Sequence, residues 1–198
     1  MKYIELLIIA SSIFILLLNF EYNKEIQNQN EDRVDNYLKV TSNIETSDKS
    51  STPESVTTPI TSTFNYSGIL EISKINLKAG FANSDDNFTI INYAIGVDPN
   101  SIYPSEQGNF ILYAHSGNSS IAYFKNLNKV SLNDDIYVYV DGVKYHYQIV
   151  EMYNVEKTGT VNVLASETEK YITLITCSRT NKNQQLIVIG KYVNKELY

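Results

Sequence analysis

Residues 135–150 read DIYVYVDGVKYHYQIV, and this stretch decides the fold class. Apolar and polar side chains alternate along residues 135–140 and again along residues 143–150, which is the two-residue period of a β-strand with one buried face. Asp141 and Gly142 separate the two runs, and this pair favours the tight turn of a two-residue hairpin. The stretch therefore predicts an antiparallel hairpin within a β-rich domain.

Short runs of the same kind recur on both sides of this hairpin. The chain contains 16 tyrosines, a residue type that favours strands. Further strands are predicted at residues 68–72, 75–77, 110–114, 171–176 and 186–193, and short helical turns at residues 119–126 and 162–166. Many short strands with few helices predict a mainly β domain, either a closed or nearly closed barrel or a sandwich.

The N-terminal 64 residues differ in composition from this domain. Residues 3–20 are mostly apolar and about long enough to cross a bilayer as one helix, and no small-residue cleavage site follows them. We therefore expect an uncleaved transmembrane signal-anchor rather than a removed signal peptide, with the polar remainder outside the cell. Residues 21–64 are polar, end in a Ser/Thr/Pro tract and predict a linker, with a weak helix at residues 34–40. The folded domain is expected to occupy residues 65–198.

Charge and cysteine content exclude several classes of protein. The net charge is −6 and no basic block occurs, which argues against nucleic-acid binding. Cys177 is the only cysteine, so no intramolecular disulfide is possible. The only histidines are His115 and His146, too few for a Cys/His metal cluster. We expect neither a bound metal nor another cofactor.

Two reactive side chains follow predicted strands at the point where each strand ends. Cys177 comes directly after residues 171–176, and His115 comes directly after residues 110–114. An imidazole beside a thiol can generate the thiolate nucleophile and later protonate a leaving amine. His146 lies in the middle of a strand, on the alternating polar face, and is expected to be structural.

Arg179 is a third candidate, because arginine is rare in this chain. Arg33 and Arg179 are the only arginines, and Arg179 follows the only cysteine by two residues. A guanidinium is a rigid and permanently charged donor, suited to binding an oxyanion or substrate carbonyl. The pattern therefore predicts a catalytic role for Arg179.

At these residues the chain resembles the sortase family, with the subclass open. Residues 112–116 (LYAHS) resemble the histidine motif of that family, residues 173–177 (TLITC) its T-L-x-T-C signature, and residues 185–191 (QLIVIGK) its last strand. The resemblance implies a closed eight-stranded β-barrel with short helices after one transmembrane helix. It also implies a single-pass membrane protein whose catalytic domain is extracellular.

The resemblance implies a cysteine transpeptidase, grouped with thiol peptidases among the hydrolases. Cys177 would attack a C-terminal sorting signal of the L-P-x-T-G kind in secreted proteins and form a thioester, and His115 would protonate the leaving group. An amine from a cell-wall precursor or a pilin lysine would then resolve the thioester, giving wall anchoring or pilus assembly. Thr176, Ser116 and Gln185 would bind the substrate.

One position departs from the family pattern. The family's catalytic arginine begins the strand after the cysteine loop, and here Gln185 or Gln184 stands at that place. Either Arg179 replaces that arginine from the cysteine loop, the reading that we favour, or Gln185 supplies a neutral donor. A non-catalytic relative is disfavoured because His115 and Cys177 are both present.

Two other functions fit part of the sequence. An L,D-transpeptidase also has an arginine two residues after its cysteine, but it places Ser-His-Gly directly before the cysteine, where this chain has Leu-Ile-Thr. A membrane-anchored extracellular β-domain used for binding or adhesion fits the anchor, the linker and the tyrosine-rich strands. Proximity of His115 to Cys177 would distinguish an enzyme from such a module.

Overall fold

The computed structural model describes residues 2–42, 65–83, 89–158 and 166–198. One long helix precedes eight strands. The elements are α1 (Lys2–Ser42), β1 (Gly68–Ile72), β2 (Leu77–Asn83), β3 (Ile95–Val97), β4 (Gly108–Tyr113), β5 (Asp135–Val140), β6 (Val143–Glu156), β7 (Lys170–Cys177) and β8 (Gln184–Leu197). Short 3-10 helices lie at Ser73–Ile75, Thr89–Asn92 and Leu127–Lys129.

The eight strands close into a barrel in the order β1-β2-β3-β4-β7-β8-β6-β5. The β2–β3 and β4–β7 pairs are parallel, and the other pairs are antiparallel. The sequence-based prediction of a closed eight-stranded barrel with an apolar N-terminal helix is therefore confirmed. The quoted hairpin forms as predicted, and Asp141 and Gly142 both take positive φ angles in its turn (50° and 78°).

The barrel interior is filled by one face of each strand. Along β5 and β6 the buried residues alternate with half-buried or exposed ones, as the sequence pattern requires. The most buried large side chains include Phe81, Phe110, Leu112, Ile136 and Tyr147. Burial of such apolar surface is the main force that holds the strands in register.

Two strands depart from the sequence prediction. Residues 75–77 were expected to form a strand, but a 3-10 helix ends at Ile75 and β2 begins at Leu77. β2 is rich in small residues, and the Tyr66 ring lies so close to Gly80 that a Cβ there would overlap it. β3 has only three residues, too few to show the two-residue period of a strand.

The two predicted helical turns have different outcomes. Residues 119–126 form turns that are followed by a 3-10 helix, whereas residues 162–165 lie outside the described residues.

The first half of α1 carries exposed apolar side chains, including Ile8, Phe14 and Leu17. This helix is long and apolar enough to cross a membrane. The polar residues that follow, expected to be linker, continue the same helix as far as Ser42, whereas residues 43–64 lie outside the described part of the chain. The difference arises because the second half of α1 packs against the barrel, and tertiary packing stabilises a helix that has weak intrinsic propensity.

Polar contacts fix this second half of α1 on the barrel. Its Val34 side chain is only 3% exposed. Hydrogen bonds run from Asn30 Nδ2 to the Lys78 carbonyl (3.2 Å), from Tyr66 OH to Asn30 Oδ1 (3.1 Å), from Tyr37 OH to the Ser67 carbonyl (3.2 Å) and between Thr41 Oγ1 and Tyr198 OH (2.7 Å). Burial raises the pKa of the Tyr66 hydroxyl above its ordinary value.

Candidate active site

His115 and Cys177 follow the ends of two neighbouring parallel strands. β4 and β7 pair with Tyr113 opposite Ile175, and the Ala114 amide donates to the Ile175 carbonyl at 3.3 Å. β4 ends at Tyr113 and β7 at Cys177, so His115 follows the ladder by two residues at the same end of the barrel as Cys177. Continued in the same register, the chain would set His115 opposite Cys177, at the spacing of neighbouring strands, about 4.8 Å.

The alternation of each strand directs both side chains to the same face. Leu112 and Leu174 are fully buried and Thr176 is 4% exposed, so the even-numbered positions of β4 and β7 face the barrel interior. The odd-numbered His115 is half-buried and Cys177 is exposed. The imidazole and the thiol therefore share the outer face at one end of the barrel.

A cavity of about 480 Å³ lies elsewhere, between α1 and the barrel, whereas the cavity at Cys177 is smaller, about 220 Å³. The smaller cavity lies between the loop after Cys177 and the ends of β6 and β8. Its wall includes Cys177, Arg179, Ser116, Phe124, Met152 and Leu186. Most of the described residues that line this cavity are polar, and Phe124, Met152 and Leu186 are the apolar ones; neither His115 nor Gln185 is among them.

Gln185 lies directly across from Cys177. The two residues are paired in the antiparallel β7–β8 ladder, and the Gln185 side chain is half-buried. Its neighbour Gln184 is engaged elsewhere, because Gln184 Nε2 donates to Glu156 Oε1 at 2.7 Å. Of the two glutamines that stand where the family has its arginine, Gln185 is thus the one whose backbone is paired with Cys177.

Arg179 joins the loop after Cys177 to the loop after His115. Its Nη1 donates to the Ser116 carbonyl at 3.1 Å and to the Lys125 carbonyl at 2.9 Å, and its Nη2 donates to Asn118 Oδ1 at 3.0 Å. Arg179 also lines the cavity at Cys177. Arg179 therefore lies beside Cys177, but its guanidinium donates three hydrogen bonds to the loop after His115.

Thr176 and Ser116 complete the set of predicted site residues. The buried Thr176 Oγ1 donates to the Ala114 carbonyl at 2.7 Å, which ties the residue before Cys177 to the residue before His115. Ser116 lines the cavity, and its carbonyl accepts from Arg179. The two sequence motifs contain both residues, but the hydrogen bonds that these residues make cannot be predicted from the local sequence.

His146 lies apart from this group. Its Nε2 is 2.7 Å from Asp135 Oδ1, and its ring stacks on Tyr137 with centroids 4.9 Å apart. Its side chain is on the half-exposed face of β6, in agreement with the structural role expected for it. Within the described residues no three His, Cys, Asp or Glu side chains are grouped as metal ligands.

Comparison with known proteins agrees with this fold. A family model described as Sortase domain matches residues 70–193. A search of curated proteins finds no match.

Solved structures of sortases share the fold. A Clostridium perfringens sortase D5 transpeptidase is 24% identical with a TM-score of 0.57, over 66% of this chain and 80% of that one. Sortase C1 from Streptococcus agalactiae is 25% identical with a TM-score of 0.59, over 65% and 68% of the two chains. Listeria monocytogenes sortase A is 18% identical with a TM-score of 0.58, over 67% and 90%. Because the family model covers more than half of the sequence, including His115 and Cys177, this chain belongs to the sortase family of cysteine transpeptidases.

Proposed function

We propose that this protein cleaves a C-terminal sorting signal of secreted proteins and transfers the protein to an amine acceptor. The observation that supports the proposal is that His115 follows β4 and Cys177 ends β7, two neighbouring parallel strands that finish at the same end of the barrel. An adhesion or binding module has no requirement for a thiol and an imidazole on neighbouring strand ends, and residues 174–176 lack the Ser-His-Gly of an L,D-transpeptidase.

The first half of the reaction breaks a peptide bond. The Cys177 thiolate attacks the scissile carbonyl carbon, and the carbonyl oxygen takes up the negative charge. The C–N bond then breaks, His115 gives its proton to the leaving amine, and the substrate remains bound to Sγ as a thioester. The sorting motif is of the L-P-x-T-G kind that the family resemblance implies, and Thr176 and Ser116 help to hold its backbone.

The second half transfers the acyl group. The acceptor amine attacks the thioester carbon, a new C–N bond forms, and the C–S bond breaks to release the Cys177 thiolate. His115 takes the proton that the attacking amine loses. The acceptor is an amine of a cell-wall precursor or a pilin lysine, which correspond to wall anchoring and pilus assembly.

The oxyanion needs a donor beside Cys177. Gln185 is paired with Cys177 across the ladder, whereas the Arg179 guanidinium donates to the loop after His115. We assign the oxyanion contact to the Gln185 amide and the bracing of the site to Arg179. α1 anchors the protein as a single-pass helix with the barrel outside the cell.

A matched pair of histidine variants tests the proposal. Turnover of a library of sorting peptides is measured for the wild type, His115→Ala and His146→Ala, with an amine acceptor present. We expect a loss of about 100-fold or more for His115→Ala and near wild-type turnover for His146→Ala. Equal activity of all three proteins would overturn the assignment.

A further inference from the structure

The docking of α1 gives the barrel a defined orientation relative to the apolar half of that helix. Asn30 bonds to the Lys78 carbonyl beside the β1–β2 turn, and Thr41 bonds to Tyr198 beyond the end of β8. The two helix positions are separated by about 16 Å of helix. The β1–β2 turn is therefore nearer to the apolar segment of α1, and the end of β8 is farther from it.

The strand directions place the active site at the nearer end. Cys177 pairs with Gln185 at the start of β8, and Tyr198 follows the end of the same strand. The 14 residues of β8 rise about 35 Å along a barrel axis at the usual strand tilt. Cys177 and Tyr198 thus lie at opposite ends of the barrel.

Contacts connect Cys177 with the first docked turns of α1. Lys125 lines the groove between α1 and the barrel, together with Ile26 and Asn30 of α1. The Lys125 carbonyl accepts from Arg179, two residues after Cys177. Only about nine residues separate the end of the apolar run at Phe20 from Asn30, which corresponds to about 15 Å of helix.

The two ends of the barrel carry opposite charge. In the described part of the connections at the Cys177 end (residues 73–76, 114–134, 157–158 and 178–183), six basic side chains are exposed and Asp134 is the one acidic residue, while the exposed Asp135 and Glu156 stand at the adjoining strand ends. The basic residues are Lys74, Lys125, Lys129, Lys157, Arg179 and Lys182.

The described connections at the opposite end (residues 98–107, 141–142 and 166–169) contain five acidic residues and no basic residue, although Lys170, at the start of β7, donates to the Pro104 and Ser105 carbonyls there. The acidic residues are Asp98, Glu106, Asp141, Glu167 and Glu169. In a chain whose net charge is −6, six of the 16 lysines and arginines thus lie in the connections at the Cys177 end.

We propose that the basic connections around Cys177, together with the docked half of α1, hold the active-site end of the barrel against the anionic headgroups of the bilayer that α1 crosses. Lysines close to an anionic surface are attracted to it, and the acidic end is repelled. The functional consequence rests on the proposed function: the Cys177 thiol would meet substrates that are themselves held at the membrane surface.

Resonance energy transfer in the full-length protein tests this orientation. Because Cys177 is the only cysteine, a maleimide donor labels it alone. The protein is reconstituted in phosphatidylcholine–phosphatidylglycerol nanodiscs that contain headgroup-labelled acceptor lipids. The comparison protein carries Gln107→Cys with Cys177→Ser, which moves the donor to the acidic end. We expect the Cys177 donor to lie about 20 Å closer to the headgroups. Equal or reversed distances would overturn the proposal.

Charge variants test the lipid contact itself. Lys125→Gln with Lys182→Gln removes two basic residues from the Cys177 end, and Lys144→Gln with Lys195→Gln removes two from strands toward the other end. Only the first pair should lower energy transfer from Cys177, and the loss should match the effect of replacing phosphatidylglycerol by phosphatidylcholine. The same response in both pairs would contradict a headgroup contact.

Docking variants separate the helix from the charges. Val34→Asp places a carboxylate in the buried contact between α1 and the barrel, whereas Val40 is 58% exposed on the same helix and Val40→Asp is its control. We expect the difference between the two donor positions to shrink only in the Val34→Asp protein. These readouts need no turnover, so an inactive protein with the expected distances would refute the proposed function and leave the orientation standing.

Discussion

Gln185 occupies the position across the β7–β8 ladder from the only thiol of the chain. A neutral amide stabilises a developing oxyanion less strongly than a guanidinium, but it supplies a donor that is already in place when the charge forms. Arg179 is nearby and carries more charge, yet three of its hydrogen bonds go to Ser116, Lys125 and Asn118. In the proposed mechanism the site is a thiol, an imidazole and an amide, with the arginine beside them.

Substitution of Gln185 tests this division of roles. Gln185→Ala is expected to lower kcat by about 100-fold with a smaller change in KM, because the donor acts mainly in the transition state. Gln184→Ala is the matched control and should stay near wild type, since Gln184 bonds to Glu156. A large loss in Arg179→Lys combined with none in Gln185→Ala would show that the arginine is the donor.

The sequence placed Cys177 and His115 at strand ends correctly, because each stands in a short motif that follows a clear strand pattern. The contacts of Arg179 could not be predicted in the same way. Its acceptors lie 54 to 63 residues away along the chain, and their positions depend on how β4 and β7 pair. A local pattern indicated that Arg179 was near the site but contained no information on where its guanidinium points.

Two loops form the rim of the site, and each continues a strand of the parallel β4–β7 pair. Thr176 ties the strand ends through the Ala114 carbonyl, and Arg179 ties the loops beyond them. Hydrogen bonds from a charged donor to carbonyl oxygens are stronger than neutral ones. These hydrogen bonds of Thr176 and Arg179, which we call the brace, therefore help to position His115 relative to Cys177 more than either strand does alone.

Loss of the brace should loosen the loop after His115. Arg179→Ala is expected to raise amide hydrogen exchange in residues 116–126 and to lower stability by about 1–2 kcal/mol, because three hydrogen bonds from a solvent-exposed side chain are removed. Arg179→Lys should give an intermediate effect. Exchange that stays at wild-type rates in both variants, measured by mass spectrometry, would exclude a bracing role.

Strand prediction succeeded where the two-residue period was long and failed where it was short or masked. β1 and β5 were predicted at their observed bounds, and β4, β6, β7 and β8 were placed with shifted ends. β2 was missed because its Ala and Gly residues do not show the apolar–polar alternation of a strand. Small residues are required there because other parts of the chain pack closely against them, as the Tyr66 ring does against Gly80. Tertiary contact, and not hydrophobic period, determines such residues.

At the scale of the whole molecule, one continuous helix joins an apolar segment to the catalytic barrel. The composition of residues 21–42 favoured a linker, because polar residues alone predict little burial. The structure docks this stretch through Val34 and through a bond between Thr41 and Tyr198, residues 157 positions apart in the chain. Such a long-range contact cannot be read from local sequence.

Removal of one hydroxyl should weaken this docking while the barrel stays folded. Tyr198→Phe deletes the partner of Thr41 Oγ1 and is expected to increase amide exchange in residues 34–42, with β4, β7 and β8 unchanged. Tyr153→Phe, on β6, is the matched control. Faster exchange throughout the barrel would indicate that the helix and the barrel unfold as one unit instead.

Intact-protein mass spectrometry of the acyl-enzyme tests the central claim most directly. The full-length protein is incubated with sorting peptides without an acceptor amine and then quenched in acid, which preserves thioesters. We predict an adduct with the mass of the N-terminal peptide fragment on Cys177, its release by an added amine, and no adduct on Cys177→Ala. Peptide transfer that persists in Cys177→Ala, or an adduct on any other residue, would contradict the account.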